Sequence, residues 1–365
     1  MILITGPLPE PINGCSYANE VLCQNLVKKG TAYQTINTST PVVSSKQGTN
    51  FSLKKALGFL KTYSYAFKVF GAKAVYLTPG QTFFGVAKYA PFILLCILFH
   101  KPYVIHVHGN YLGTEYQQLK GAKSKFFRLL VSHASAGIVL SESLRKNFAG
   151  LLPDKKIFVV ENFVDEELLT SYEEQKKPKD QLRILYLSNL MEEKGILDLL
   201  DALLLLQKKG VAFCVQLAGK IESNIYTEVQ MKLTALGEKV EYLGLVKNES
   251  KLQAFQRANV FVLPTWYQME GQPISILEAM GSGNIIVTTA HAGIPDIVSI
   301  ENGYFVEAKN PKSIARALQT ISEDIAGEVK QFSVKNATYV KSRFTEQRFS
   351  SKIMDIMENV SQMNK

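Results

Sequence analysis

At 365 residues, with 46% apolar and 20% charged residues, the chain has the length of two ordinary domains and the composition of a soluble globular protein. Its net charge of +9 belongs to the N-terminal half: residues 21–114 hold ten lysines and no Asp or Glu, and the remainder is close to neutral. The four cysteines form no C-x-x-C pair, the longest apolar run (residues 91–99) is half a bilayer span, and no cleavable leader is visible. These features exclude a disulfide scaffold, a zinc ribbon and an integral membrane protein, and they predict a reducing cytoplasm.

Residues 2–5 read as the first strand, followed by a turn-rich loop over residues 6–14 and a helix capped by Asn13 or Ser16. A glycine in that loop, Gly14, lets backbone amides approach a phosphate, although a simple turn would also use it. The loop is not G-x-G-x-x-G, so a dinucleotide reading lacks its main support. Residues 53–70 place Leu53, Leu57, Leu60, Phe67 and Phe70 on one helical face and Lys54, Lys61 and Lys68 on another. That pattern fits a basic helix on an anionic membrane, or a domain helix with its lysines in water. Residues 74–77 form a strand, 91–99 a buried helix, and 103–108 another strand. His106 and His108 are expected on opposite faces of it, with His108 at the carboxyl edge. Further strands are expected at 136–140 and 156–160, the first followed by a helix start at Ser141-Glu142-Ser143. Residues 166–181 are charged, contain Pro178 and lack a core pattern, as an approach to a second domain would. That domain opens with a strand at 183–187, the loop Ser188-Asn189-Leu190-Met191-Glu192-Glu193-Lys194-Gly195, and a helix with Ile196, Leu199, Leu200 and Leu203 inward. Strands at 213–217 and 240–243 end in Gly219 and Gly244.

The densest chemistry lies in Glu270-Gly271-Gln272-Pro273-Ile274-Ser275-Ile276-Leu277-Glu278, between the apolar strand Val260-Phe261-Val262-Leu263 and another at 285–287. Strand, loop, helix and strand put Glu270 at a carboxyl edge, where open α/β sheets bind ligands, and Glu278 about two turns into the helix. The free N–H groups at the helix start suit phosphate, and sugar or ribose hydroxyls suit the two carboxylates. This stretch, with Ala279-Met280 after it, resembles the E-x7-E motif of retaining glycosyltransferases of family 4. The resemblance implies the GT-B fold, a nucleotide-sugar donor and no metal.

Other anchors carry the same resemblance. Gly14 matches the loop that reaches the donor diphosphate, and His108 the histidine facing the donor sugar, with Gly109-Asn110 where an Asp is frequent. Glu161-Asn162-Phe163-Val164-Asp165 is similar to N-G-V-D, with Phe163 in place of Gly. Lys194-Gly195 matches the Lys-Gly of the diphosphate site, while Ser188-Asn189 stands where Gly-Arg is usual; one cation is missing, and Asn189 offers a neutral hydrogen bond. Leu245 and Val246, after Gly244, are either base-packing or plain core, and do not tell uracil from guanine. Pro273 replaces a Gly in the first helical turn, so the amides of Gln272, Ile274 and Ser275 are left to meet the phosphate. Ala292-Gly293-Ile294-Pro295-Asp296-Ile297-Val298 is similar to G-G-I-P-E-I-V, and Asn302-Gly303-Tyr304-Phe305-Val306 closes the last strand region. The last helix, with Phe349, Ile353, Met357 and Val360 at helical spacing, is implied to pack back on the first domain.

The expectation is an α/β protein of GT-B type, with two doubly wound Rossmann-like domains facing a cleft: residues 1–165 plus 344–365 for the acceptor, and 166–343 for the donor. Glu270, His108 and Lys194 are the implied catalytic group, with Glu278 on the donor ribose. The implied reaction moves a hexose-type sugar, a UDP-sugar being favoured, to a lipid-pyrophosphate or oligosaccharide acceptor without metal or cofactor. The basic half implies an anionic partner: lipid headgroups, a pyrophosphate-bearing acceptor or nucleic acid. With the resemblance, the expectation is peripheral contact with an anionic membrane or hold on the acceptor, without nucleic acid. A GT-B epimerase or phosphorylase, and a non-catalytic basic module, are the alternatives.

Overall fold

The computed structural model describes residues 1–11, 13–39, 62–172 and 177–362. The chain forms two compact units, Met1–Asn162 with Met269–Gln272 and Glu346–Lys365, and Phe163–Gln268 with Pro273–Thr345.

The first unit holds a six-stranded parallel sheet of β1 (Ile2–Gly6), β2 (Tyr33–Asn37), β3 (Ala74–Leu77), β4 (Tyr103–Val107), β5 (Ala136–Val139) and β6 (Ile157–Val159), in the order β2-β1-β3-β4-β5-β6. β3, β4 and β5 are buried along their whole length. Helices therefore cover both faces, and these strands read as continuous apolar runs rather than alternating ones. The chain leaves β1 for β2 on one side and returns to β3 on the other, so the order reverses between β1 and β3. Asn19 braces that point: its Nδ2 donates to Thr78 Oγ1 (2.8 Å) and to the Pro7 carbonyl (2.9 Å). The helix Glu346–Gln362 packs in this unit against β3 and the helix Gly14–Lys28, burying Phe349, Ile353, Met357 and Val360.

The second unit has β7 (Leu182–Leu187), β8 (Phe213–Ala218), β9 (Val240–Gly244), β10 (Val260–Leu263), β11 (Ile285–Thr289) and β12 (Gly303–Val306), ordered β12-β11-β10-β7-β8-β9 and all parallel. This is the doubly wound dinucleotide-fold order, and its reversal lies between β7 and β10. The helix Ile196–Lys208 buries Ile196, Leu199, Leu200 and Leu203, each contributing about 1.5–3 kcal/mol by leaving water.

Several expectations change. The helix at 91–99, observed as Ala90–Leu98, is not wholly buried: Leu94, Leu98 and Phe99 are exposed, because only its Phe92, Ile93 and Cys96 side faces the core. The charged approach at 166–181 does contribute core. Leu168 and Leu169 are buried, and Lys177 is buried with Nζ donating to the carbonyls of Phe255 and Ala258 and to Asn284 Oδ1. Of the amphipathic helix read at 53–70, residues 53–61 lie outside the described residues, and Lys68–Gly71 is one helical turn. Glu278 stands fifth in the helix Ile274–Gly281, just over one turn in, because Pro273 caps that helix from outside instead of opening its first turn.

Candidate functional site

In the first unit, site residues gather at the carboxyl ends of β1, β3 and β4. His106 and His108 were expected on opposite faces; their ring centroids are 4.0 Å apart. Residues two apart share a face on a strand of period two, which is the physical reason for the correction. His106 Nδ1 lies 2.6 Å from Tyr76 Oη. His108 Nε2 is buried without a hydrogen-bond partner among the described residues, and burial pushes its pKa down to about 4. His108 is therefore neutral near pH 7, able to accept or donate one hydrogen bond at a ring nitrogen according to tautomer.

Glu270 comes to the same edge. Gly271 faces the His108 backbone so closely that a Cβ would lie 2.7 Å from the His108 carbonyl oxygen and 3.0 Å from Gly109 Cα. Gln81 Nε2 donates to the Met269 carbonyl (3.2 Å), and Gln81 Oε1 accepts from the Tyr111 N–H (2.6 Å). Gln272 is held by Asn162, whose N–H donates to Gln272 Oε1 (2.6 Å) and whose Nδ2 donates to the Gln272 carbonyl (2.7 Å), while Gln272 Nε2 donates to the Leu140 carbonyl. These contacts assign Met269–Gln272 to the first unit, although the sequence reading put Glu270 in the second domain, and Glu270 is 7% exposed. At the first helix, Asn13 is the cap and Ser16 reciprocates. Asn13 Oδ1 accepts from the N–H groups of Cys15 and Ser16, and Ser16 Oγ accepts from the Asn13 N–H. Gly14 is the first helical residue, exposed, rather than a turn glycine.

In the second unit the loops after β7 and β10 lock together at the order reversal. The Trp266 N–H donates to the Glu193 carbonyl (2.8 Å), and Lys194 Nζ sits 5.1 Å from the Tyr267 ring centroid. Gly195 has φ +76°, and a Cβ there would lie 2.4 Å from the Pro264 carbonyl oxygen, so glycine is required on both counts. His291 Nε2 is 2.8 Å from the Tyr267 carbonyl oxygen. Asn189 is exposed on the same β7 loop, and its carbonyl accepts from Tyr186 Oη. At the end of β9, Leu245 is 70% exposed, so it is not core; Val246 beside it is half-buried.

Glu278 is 4% exposed, and its Oε1 accepts from Lys251 Nζ at 2.6 Å. Burial raises the Glu278 pKa, against the pull of Lys251 and with a push from Asp165. Burial also works against the Lys251 charge, but Glu278 outweighs it and the ammonium titrates above the usual lysine range. The first N–H groups of the helix Ile274–Gly281, those of Ile274 and Ser275, have no intrahelical acceptor; the helix follows β10, and β7 and β8 lie between β10 and β9 in the sheet.

The structure thus gathers Glu270 with His108 in one unit, and Lys194 with Asn189 on the β7 loop beside β10 in the other. Sequence reasoning missed Lys251, Tyr267 and Gln81, and it placed Asn162 in the N-G-V-D-like segment without its hold on Gln272. Tyr267 follows a strand end and had a signal; Lys251 sits in a charged helix and had none.

Known proteins bear on this geometry. Residues 170–339 match the family model of the glycosyl transferases, group 1. The match supports a glycosyltransferase. Among curated relatives, an uncharacterized glycosyltransferase of Methanocaldococcus jannaschii is 27% identical over 65% of this chain and 63% of its own length. The putative colanic acid biosynthesis glycosyltransferase WcaL of Escherichia coli is 26% identical over 50% of this chain and 46% of its own. The matched region thus spans less than two-thirds of either relative. Among solved structures, Anabaena HepE in complex with UDP superposes with a TM-score of 0.73 over 98% of this chain and 99% of its own, at 15% identity. At that identity the likeness shows the fold: two Rossmann-like domains of GT-B type.

Proposed function

We propose that this chain is a retaining glycosyltransferase. It moves a hexose-type sugar from a nucleotide-sugar donor, a UDP-sugar first, to a lipid-linked or saccharide acceptor in polysaccharide or glycolipid assembly. The observation that carries the reading is the Gly271 contact, which packs the loop bearing a buried Glu270 against the His108 carbonyl, with Glu278 buried in the helix that follows. Group 1 glycosyl transferase similarity over residues 170–339, the WcaL relative and the UDP complex of HepE support it.

In this reading Glu270 and His108 hold hydroxyls of the donor sugar, and Glu278 accepts from the ribose. Leu245 and Val246 pack on the base. Lys194, the Asn189 side chain and the amides of Gly14, Gln272, Ile274 and Ser275 meet the diphosphate. The bond from the anomeric carbon to the diphosphate oxygen breaks, and the diphosphate leaves with the bonding pair. The acceptor oxygen bonds to that carbon on the same face, with no covalent intermediate, and its hydroxyl proton passes to the departing diphosphate oxygen. The charge that grows on the diphosphate is the largest change in the step, so Lys194 and the amides at the helix start act most strongly there. No metal is required.

Peripheral membrane contact is the second part of the proposal. The chain enters β2, β3, β4 and β6 through lysines: Lys28 and Lys29, Lys73, Lys101, and Lys155 with Lys156. At the same amino edge Phe67, Phe70, Leu98 and Phe99 are exposed, with the Phe70 and Phe99 rings 4.7 Å apart. Exposed apolar side chains on an edge that also carries several lysines suit an anionic bilayer, each Lys contributing roughly 1 kcal/mol. This edge lies opposite His108, so it anchors the unit rather than seating the acceptor. No helix among the described residues is long and apolar enough to cross a membrane.

The test is a donor panel of UDP-, GDP- and ADP-sugars incubated with saccharide and lipid-pyrophosphate acceptors in EDTA, with the product anomer read by NMR. A product of retained configuration supports the proposal. An inverted anomer, loss of activity in EDTA, turnover without acceptor, or turnover with inorganic phosphate alone would overturn the corresponding part.

A further inference from the structure

The Lys251–Glu278 pair joins two elements at the carboxyl side of the second sheet. Lys251 stands in the first turn of the helix Asn248–Arg257, which follows β9, and Glu278 in the helix Ile274–Gly281, which follows β10. The side chains are 22% and 5% exposed, and Nζ to Oε1 is 2.6 Å. A buried ion pair contributes little net stability compared with apolar side chains of equal volume, because both charges give up water. The value of this one lies in the state it imposes on the carboxylate. A carboxyl at this depth with no counter-charge takes up a proton, and then offers a hydroxyl and a weak acceptor where two strong acceptors stood.

We infer that Lys251 is a positioning residue for the donor nucleotide: its ammonium keeps Glu278 ionised and fixes Oε1, which leaves Oε2 to accept from the ribose hydroxyls. This rests on the reading of Glu278 as the ribose acceptor. The charged groups facing Glu278 are Lys251 from one helix and Asp165, the N-cap of the helix Glu166–Thr170. Asp165 pushes the carboxyl toward its protonated form, so Lys251 is the cation that opposes both it and burial. With Lys251 removed, the Glu278 pKa moves further up, and ribose binding is lost as pH falls through that higher value.

The experiment is calorimetric titration of the full chain with UDP and with 2′-deoxy-UDP, and with GDP and 2′-deoxy-GDP alongside, from pH 5.5 to 8.5. The variants are Glu278→Gln, Lys251→Met, Lys251→Arg and the double Lys251→Met/Glu278→Gln. Wild type should prefer the ribonucleotide of whichever base binds tighter, and Glu278→Gln should remove that preference. Lys251→Met should weaken ribonucleotide binding by about tenfold, the worth of one charge-assisted hydrogen bond, and move the acid limb of affinity to higher pH. Lys251→Arg should restore both, and the double variant should be no worse than the worse single. If Glu278→Gln leaves the ribose preference intact, the ribose reading fails and the inference with it. If Glu278→Gln removes the preference while Lys251→Met leaves affinity and pH profile unchanged, the ribose reading stands and the role of Lys251 is refuted. Should Lys251→Met fail to fold, Lys251→Gln carries the same comparison, and an additive double variant also refutes the coupling.

Discussion

Gly271 meets the His108 carbonyl with no room for a side chain: a Cβ would lie 2.7 Å from that oxygen. The contact is backbone to backbone, so neither partner can rotate away. Gly271→Ala must therefore shift the Met269–Gln272 loop or the end of β4, at a cost of about 1–3 kcal/mol. The expected outcome is a lower Tm together with reduced donor turnover. Gly71→Ala is the control, since its Cβ would meet only Met1 Cε at 3.6 Å. Equal Tm and activity for the two variants would show that the loop does not depend on this approach.

Lys194 and Glu278 should fail in different ways. Lys194→Ala removes the ammonium from the loop after β7 and should lower kcat by about tenfold or more, because the leaving diphosphate gains charge in the transition state. Glu278→Ala should act mainly on the donor KM, since ribose is held equally before and during the step. Steady-state kinetics at saturating acceptor separates the two. Wild-type kinetics in both folded variants would reject the proposed site.

The two adjacent buried histidines, His106 and His108, set an acid limit on stability. Unfolded, an imidazole takes up its proton near pH 6.5; in the fold, burial delays this for His108 to about 4. Between these values the unfolded chain binds more protons, so stability falls as pH drops from about 6.5 to 4, by about 1.4 kcal/mol per pH unit for one such group. His106, pushed down by burial and by His108, adds in the same direction. His108→Gln should make the acid limb of denaturant-measured stability shallower. A slope equal to wild type between pH 4 and 6.5 would contradict the shift.

Ala292 occupies left-handed backbone at φ +52°, where an L-residue pays about 1–2 kcal/mol. Glycine avoids that cost but loses more conformational entropy on folding. Ala292→Gly should therefore be neutral to stabilising, by up to about 1 kcal/mol, and thermal unfolding should show an unchanged or raised Tm. A clear fall in Tm would mean that the Ala292 methyl contributes packing that outweighs the strain.

The exposed amino edge of the first unit gives a separate prediction. The double variant Leu98→Ser/Phe99→Ser should reduce binding to vesicles containing anionic lipid while leaving turnover of a water-soluble acceptor unchanged. Wild-type binding should fall as salt rises, since the lysines act through a screened field. Vesicle binding that ignores both salt and the substitution would remove the case for this surface.

Periodicity and turn chemistry made most of the fold legible in the residues alone. Every described strand of the two sheets except β2 was read with boundaries within a residue or two, because buried parallel strands are short, apolar and set off by polar loops. The helix start at Asn13 and the inward face of Ile196, Leu199, Leu200 and Leu203 are equally local, one set by side-chain capping and the other by the 3.6-residue repeat. The sequence by itself thus determined the α/β class, the loops at strand ends and the residues those loops carry. What only the tertiary structure decided were pairings between distant segments. These include Gly271 against His108, Gln272 clasped by Asn162, the Lys194 loop on the Thr265–Tyr267 loop, and Lys251 on Glu278. A residue's own type and spacing report its helix or strand, but its partner across tens of residues is set by where the sheets bring their edges.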